Sequence, residues 1–342
     1  MKISSITYTQ EQIKLKKPFI TALREVHFAE FIRVKIVCEN GVFAYGEAPA
    51  TKAITGETLE SISKSITQFS DLLIGCTLQE ALEVLHQQKC GSSAKAAVDM
   101  AIVMLFAKAK KQTLKEYFKI SDTTPIETDI TISLGSTPQM LCDAKEALES
   151  GMSLLKIKFG SDIKHAIETT KSLEKELSGA KLLIDANQAW SKEETLHYLE
   201  EVKECKLELL EQPVIASDIV ALKAITESSA IAILADEAVF TLKDAKDIIE
   251  NYAADMINIK LMKCGGVSKA IEILEYAREK KILCMLGSMI EGPYSINITL
   301  YLAFAYRDVV KFVDLDSPLL YEQLPCELDF NYDGATISFR DQ

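Results

Sequence analysis

Between residues 154 and 260 the chain repeats one unit: a short apolar run, an ionisable residue at its end, then a stretch with helical periodicity. Lys158, Asp185, Glu211, Asp236 and Lys260 close successive runs at steps of 27, 26, 25 and 24 residues. Right-handed βα units of that size, repeated eight times, close into a barrel. The runs are Thr128 to Leu134, Leu154 to Phe159, Lys181 to Asp185, Leu207 to Glu211, Ile231 to Asp236, Met256 to Lys260, Ile282 to Leu286 and Lys311 to Asp314. Helical patterns such as Thr137 to Glu149, Asp162 to Leu177, Lys192 to Glu204 and Val267 to Lys280 lie between them. The spacing predicts eight strands and seven helices over 125–318. A doubly wound open sheet would carry a GxGxxG turn after its first strand, and Ser133-Leu134-Gly135-Ser136 lacks it.

The segment before this repeat has a different grammar. From Ile3 to about Pro49 the pattern is antiparallel β, with Asn40-Gly41 as a hairpin signal. Lys17 to Arg24 has no period and is expected to be a loop. Helical stretches follow at Thr58 to Phe69, Leu78 to Gln87 and Ser92 to Lys111. Strands and then helices, without alternation, predict a separate α+β unit over 1–124, completed by the strand-like tail 319–342.

Composition narrows the partners. A net charge of -12 opposes a nucleic-acid footprint, which needs a concentrated basic face. The longest apolar run, Ala101 to Ala107, is too short to cross a membrane, and the N-terminus has no signal-peptide block. Eight cysteines without a CxxC or a pairing pattern suit a reducing cytoplasm. The four histidines show no metal-ligand spacing.

The strand ends carry the chemistry. Lys156 and Lys158 are two apart, so they share a strand face, where mutual repulsion and burial would favour a neutral, basic amine. The other reading is an edge strand with its lysines in water. Asp185, Glu211 and Asp236 end three successive strands, at the barrel face where active sites lie. Converging anions need a cation, and oxygen donors suit Mg²⁺ or Mn²⁺. Each acid could instead cap a helix, although Glu211 would be a poor cap. Lys158 ends strand two and Lys260 ends strand six, so in an eight-strand ring they face each other with the carboxylates between. A carboxylate substrate held there would present its α-carbon to an amine on each side, one taking the α-proton and the other returning one. Asp314-Leu315-Asp316, on strand eight, forms a receptor for an ammonium group, or a pair of loop caps.

Taken together, Lys156-Ile157-Lys158, Asp185-Ala186-Asn187-Gln188, Glu211-Gln212-Pro213, Ala235-Asp236-Glu237, Lys260-Leu261-Met262-Lys263-Cys264-Gly265-Gly266 and Asp314-Leu315-Asp316 resemble the enolase superfamily, muconate-lactonizing subgroup, and within it the dipeptide epimerases. The resemblance implies an α+β capping domain and a modified TIM barrel, (β/α)7β. It implies one Mg²⁺ per subunit, replaceable by Mn²⁺, on Asp185, Glu211 and Asp236, with Lys158 and Lys260 as acid/base catalysts. Lys156 would tune Lys158 and touch the substrate carboxylate, while Thr131, Ser288 and Ile290 would line the dipeptide. Asp314 and Asp316 would hold its α-ammonium. Arg24, in the capping loop, would suit a Glu side chain; an exposed loop arginine is the other reading.

The implied reaction inverts the C-terminal residue of L-Ala-D/L-Glu dipeptides through an enediolate, in a cytoplasmic enzyme, as a homo-oligomer or a monomer, with a role in murein peptide recycling. The stiff, bulky Gly292-Pro293-Tyr294 turn is expected to reshape the side-chain pocket, and apolar Phe19 and Ile20 to let hydrophobic dipeptides compete with Ala-Glu. The o-succinylbenzoate synthase and N-succinylamino acid racemase reactions use the same lysines and metal, but their substrates lack a free α-ammonium. A Schiff-base aldolase barrel and a non-catalytic peptide-binding barrel are the readings from other classes.

Overall fold

A computed structural model describes residues 1–21, 24–177 and 179–340 of the chain. Parts of the expected capping loop (22 and 23) and of the tail (341 and 342) therefore lie outside the described residues. Strands β1 (Ile3–Ile20), β2 (Glu25–Cys38) and β3 (Phe43–Pro49) form an antiparallel sheet in that order. The expected loop at Lys17 to Arg24 is corrected here: Lys17 to Ile20 belong to β1. Their ladder with β2 runs on to Ile20↔Glu25 past an irregularity between Lys14 and Phe19. Ile20 is also tied to the barrel, its N–H donating to Ser133 Oγ (3.1 Å) and its carbonyl accepting from Leu134 N (3.0 Å). Partners distant in sequence extend this segment, so local periodicity carries no trace of it.

Five helices follow: α1 (Lys52–Thr55), α2 (Leu59–Leu73), α3 (Leu78–Gln87), α4 (Ser92–Ala109) and α5 (Leu114–Tyr117). α2, α3 and α5 start at threonine caps that accept a backbone N–H from the third residue. The Ala-rich α4 is buried nearly all round and lies directly on β3. A β-carbon on Gly46 would stand 1.9 Å from the Ala97 carbonyl oxygen, so this contact requires glycine.

Strands β5 (Ile130–Ile132), β6 (Leu154–Lys158), β7 (Lys181–Asp185), β8 (Leu207–Glu211), β9 (Ala232–Ala235), β10 (Met256–Ile259), β11 (Leu283–Gly287) and β12 (Val310–Asp314) form one parallel sheet in sequence order. Its two ends meet where Asp129 N donates to the Val313 carbonyl (3.1 Å). Helices α6 (Thr137–Glu149), α7 (Ile163–Glu176), α8 (Lys192–Glu201), α9 (Ile219–Ser228), α10 (Leu242–Glu250), α12 (Val267–Lys280) and α13 (Pro293–Ala305) connect the strands, with short α11 (Leu261–Cys264) and α14 (Ser317–Leu320) beside them. The expected first strand, Thr128 to Leu134, is thus shorter. Ile126–Glu127 instead forms β4, which pairs with the tail hairpin β13 (Phe330–Asp333) and β14 (Thr336–Phe339). The tail also touches β1, where Tyr321 bridges Leu15.

The barrel interior is layered because strand side chains alternate. Leu154, Leu183, Leu209, Leu234, Met256, Met285 and Phe312 form a separate apolar cluster, one residue from each strand β6 to β12. Two residues further along each strand, toward its C-terminal end, stand Lys156, Asp185, Glu211, Asp236, Asn258, Gly287 and Asp314. Lys158 and Lys260 lie two residues beyond Lys156 and Asn258. The alternation that builds the apolar floor therefore stacks the ionisable residues above it.

Two buried acids dock the N-terminal unit on the barrel. Glu47, on β3, takes Arg33 Nε (2.9 Å) and the N–H groups of Tyr294 (2.8 Å) and Ser295 (3.1 Å) at the start of α13. Asp99, on α4, accepts from Ser268 N (3.0 Å) at the start of α12 and pairs with His86. Carboxylates at helix N-termini satisfy free N–H groups and complement the dipole.

Candidate active site

Lys156 is fully buried, with its Nζ 2.6 Å from Asp314 Oδ2, 2.7 Å from Glu211 Oε2 and 3.3 Å from Asp185 Oδ2. Lys158 Nζ meets Asp185 Oδ2 at 2.5 Å, and Lys260 Nζ meets Asp236 Oδ2 at 2.7 Å. Lys263, one helical turn after Lys260, reaches Asp236 Oδ1 (2.5 Å) and the Asn258 carbonyl (2.8 Å). For Lys156 these distances correct the expectation of a neutral amine repelled by its neighbour on β6. Burial would lower the pKa of Lys156, but Asp314, Glu211 and Asp185 outweigh it and hold the group well above its ordinary value. Lys260 is likewise raised: burial works against its charge and Asp236 overcomes it.

Arg24, Thr131, Lys158, Asp236, Lys260, Ser288, Ile290, Asp314 and Asp316 line a single cavity at the C-terminal ends of the strands. Lys156, Asp185 and Glu211 lie fully buried beneath it. Lys158 and Lys260 belong to strand ends four places apart in the eight-strand ring, with β7, β8 and β9 between them. Arg24 is half-buried, and no carboxylate among the described residues pairs with its guanidinium; removal from water brings its pKa down to about 10. Asp316 accepts from Thr131 N at 2.8 Å.

The donor set suits a hard divalent cation. Asp185 and Glu211 are register partners on β7 and β8, and Asp236 follows β9. Around them Asn187 Oδ1 and Glu237 Oε2 are buried oxygens with no hydrogen-bond donor among the described residues, while Glu211 Oε2 meets Lys156 at 2.7 Å. Oxygens left without donors beside three carboxylates are what an oxygen-coordinated ion satisfies. Among the described residues, the acids already clustered within 4.8 Å of one another are a different trio, Asp129, Asp314 and Asp316. Ammonium groups stand among the carboxylates of Asp185, Glu211 and Asp236.

Residues 139–342 match the enolase C-terminal domain-like family, and residues 3–118 match the mandelate racemase / muconate lactonizing enzyme N-terminal domain. An L-amino acid-D/L-Glu epimerase of Sulfurimonas denitrificans is 57% identical over 98% of this chain and 99% of its own length. The chain belongs to the dipeptide epimerases of the enolase superfamily. A substrate-liganded L-Ala-D/L-Glu epimerase from Bacillus subtilis superposes with a TM-score of 0.93 at 35% identity, over 99% of this chain and 97% of that one. A dipeptide epimerase from Enterococcus faecalis, complexed with Mg and L-Leu-L-Tyr, gives 0.91 at 30% identity, over 100% and 98%.

Within this superfamily scaffold, sequence reasoning missed several site residues. Glu237 borders the cavity, and burial, then Asp236 and Asp185, push its carboxyl up to about 8. Its only sequence signal is adjacency to Asp236. Asn258 donates to Glu211 Oε1 at 2.8 Å, and the signal is its place two residues before Lys260. Met289 and the Ala53-Ile54 corner of α1 supply apolar wall. The expected influence of Gly292-Pro293-Tyr294 on the pocket is corrected: none of the three lines the cavity. Gly292 and Pro293 start α13, and the Tyr294 ring packs on Tyr45 (centroids 5.0 Å apart) and under Arg33. Of the two apolar capping residues, Phe19 reaches the cavity and Ile20 does not.

Proposed function

We propose that the chain is a Mg²⁺-dependent dipeptide epimerase that inverts the α-carbon of the C-terminal residue by two-lysine 1,1-proton transfer. The observation that carries this is the arrival of Lys158 and Lys260 in one cavity from opposite positions in the ring. Asp185, Glu211 and Asp236 would hold Mg²⁺, with Mn²⁺ as a substitute. When bound, the ion supplies positive charge for the substrate carboxylate as it takes up the electron pair of the broken C–H bond. One lysine removes the α-proton, leaving an enediolate, and the other delivers a proton to the opposite face. Lys156 balances the buried carboxylates beneath and keeps the Lys158 side of the site cationic.

Substrate choice follows from the walls. Asp316, with Asp314, receives the α-ammonium. The Arg24 guanidinium, which no carboxylate among the described residues pairs, suits an acidic C-terminal side chain, so L-Ala-D/L-Glu is the reference substrate. Phe19, Ile54, Met289 and Ile290 give apolar surface that admits hydrophobic dipeptides as well. Thr131 and Ser288 flank the peptide. Eight unpaired cysteines support a reducing cytoplasm. A preference for glutamate-bearing dipeptides would suit the recycling of murein peptides.

The test is an NMR screen of a dipeptide library in D₂O with Mg²⁺, for this protein and for Lys158→Ala and Lys260→Ala. Deuterium should enter the C-terminal α-position as the diastereomer ratio changes, and neither variant should epimerise. Epimerisation that survives in either variant would sink the two-lysine scheme.

A further inference from the structure

Every barrel strand from β6 to β12 places an apolar residue in the floor beneath the site. On the first strand, the inward position two residues before Thr131 is Asp129, which is fully buried. Neither of its carboxyl oxygens has a hydrogen-bond donor among the described residues, and it lies with Asp314 and Asp316, carboxylate oxygens of all three falling within 4.8 Å of one another. Its backbone is fixed there. Asp129 N donates to the Val313 carbonyl (3.1 Å), and Thr128 Oγ1 both donates to that carbonyl (3.2 Å) and accepts from Leu315 N (3.1 Å).

An ionised carboxylate only accepts hydrogen bonds, and Lys156, the cation that favours its charge, is engaged by Asp314, Glu211 and Asp185, so facing two further carboxylates it lacks a donor of its own. A protonated one has an O–H to give. We propose that Asp129 is a positioning residue of the ammonium receptor: a neutral carboxylic acid whose O–H donates to Asp314. This rests on the reading of Asp314 and Asp316 as that receptor. The charges then close simply. Asp314 is balanced by Lys156 at 2.6 Å, Asp129 is neutral, and Asp316 is left as one net anion for one incoming ammonium. The titration directions agree: burial, then Asp314, carries Asp129 well above the ordinary carboxylate range, while Asp314 itself is lowered because Lys156 overcomes its burial.

The protonation state is read without substrate. The infrared difference between the whole protein and Asp129→Asn at pH 7 should show the loss of one protonated-carboxyl stretch, with the bands of Glu237 and other raised acids cancelling. The amide keeps a donor and the shape, so Asp129→Asn should hold KM for free-amine dipeptides within about threefold, whereas Asp129→Leu, if it folds, should raise it at least tenfold with kcat little changed. A difference spectrum with no lost carboxyl stretch overturns the proposal. So does a tenfold rise of KM in Asp129→Asn, the result expected if three ionised acids hold a second cation. Since the band needs no turnover, its failure is distinguishable from failure of the epimerase reading.

Discussion

Lys158 and Asp185 are direct register partners across β6 and β7, and their side chains meet at 2.5 Å. Lys260 and Asp236 also meet, at 2.7 Å, from just past the ends of β10 and β9, although they stand two residues out of register. Each proposed proton carrier is thus positioned by one of the carboxylates proposed to hold the ion, which fixes where its ammonium can sit. Replacing either lysine removes general acid–base help worth roughly 10²–10⁴-fold, so Lys158→Ala and Lys260→Ala should each lower kcat at least about 100-fold. Lys158→Arg should not rescue, because a guanidinium keeps its proton. Steady-state epimerisation followed by polarimetry reads this; an active arginine variant would contradict a proton-transfer role for the position.

Asp316 is the acid on which the proposed recognition of the free amine depends. Its Oδ2 is held by Thr131 N at 2.8 Å, so Asp316→Asn can keep the acceptor while losing the charge. Hydrogen bonds to charged groups contribute about 1.5–3 kcal/mol, which corresponds to a rise in KM of roughly tenfold to a hundredfold for free-amine dipeptides. Comparison with N-formyl dipeptides should show no matching loss. Equal loss on both would mean that Asp316 serves only the fold.

Gly287 leaves the space that Lys260 uses. A β-carbon there would lie 2.9 Å from Lys260 Cε and 2.8 Å from Asn258 Oδ1, both side-chain atoms that can yield. Gly287→Ala should therefore fold, at a packing cost of about 1–3 kcal/mol, while displacing Lys260 enough to cut kcat on the order of 100-fold. Thermal melts alongside kcat separate the two effects. Full activity would show that Lys260 does not need this position.

The barrel was legible because one period does two jobs. Alternation along β6 to β12 sets both the apolar floor and the ionisable layer above it, so an apolar run ending in Lys, Asp or Glu announces strand and site together. Position around the ring followed from strand order alone, which is why Lys158 and Lys260 were recognisable as opposites. What stayed hidden depends on partners far apart in sequence. Lys17 to Ile20 are extended by β2 and Ser133, and Asp129 is significant only because β12 brings Asp314 and Asp316 beside it. The charge state of Lys156 failed for the same reason: its near neighbour in sequence is another lysine, while its contacts in space are three carboxylates.

Glu291 gives the fold a pH dependence whose sign can be worked out. Burial pushes its carboxyl up to about 7, against the offsetting bonds from Ser295 and Met289 N. Below the ordinary value of 4.5 both folded and unfolded chains hold the proton. As pH rises the unfolded chain releases it first, so native stability falls until the folded group has also ionised, and is flat above that. The full span is about 3 kcal/mol. In urea unfolding, Glu291→Gln should gain about 2–3 kcal/mol relative to the parent between pH 5 and pH 8. Glu47, also raised to about 7, is present in both proteins and cancels. A gap that does not change with pH would show that Glu291 is not buried against its charge.

Glu211 is the best residue on which to test the ion. Asp185 and Asp236 carry close lysine pairs, and breaking such a buried pair costs roughly 3–5 kcal/mol whatever else the residue does. Glu211 shares Lys156 with Asp314 and Asp185, and burial, then Asp185, push its carboxyl up to about 7, so its site already tolerates a neutral group and Glu211→Gln should perturb the metal-free fold least. An ion that binds only the folded chain adds about 2.7 kcal/mol of stability at a hundredfold excess over its Kd. Mg²⁺ titrated into the parent protein without substrate should raise the unfolding free energy by that amount, and in Glu211→Gln the gain should shrink by at least half at the same concentration. If the gain is unchanged in Glu211→Gln and disappears instead in Asp314→Asn, the ion sits among Asp129, Asp314 and Asp316. The carboxylates that end β7 and β8 would then serve only to balance Lys156 and Lys158.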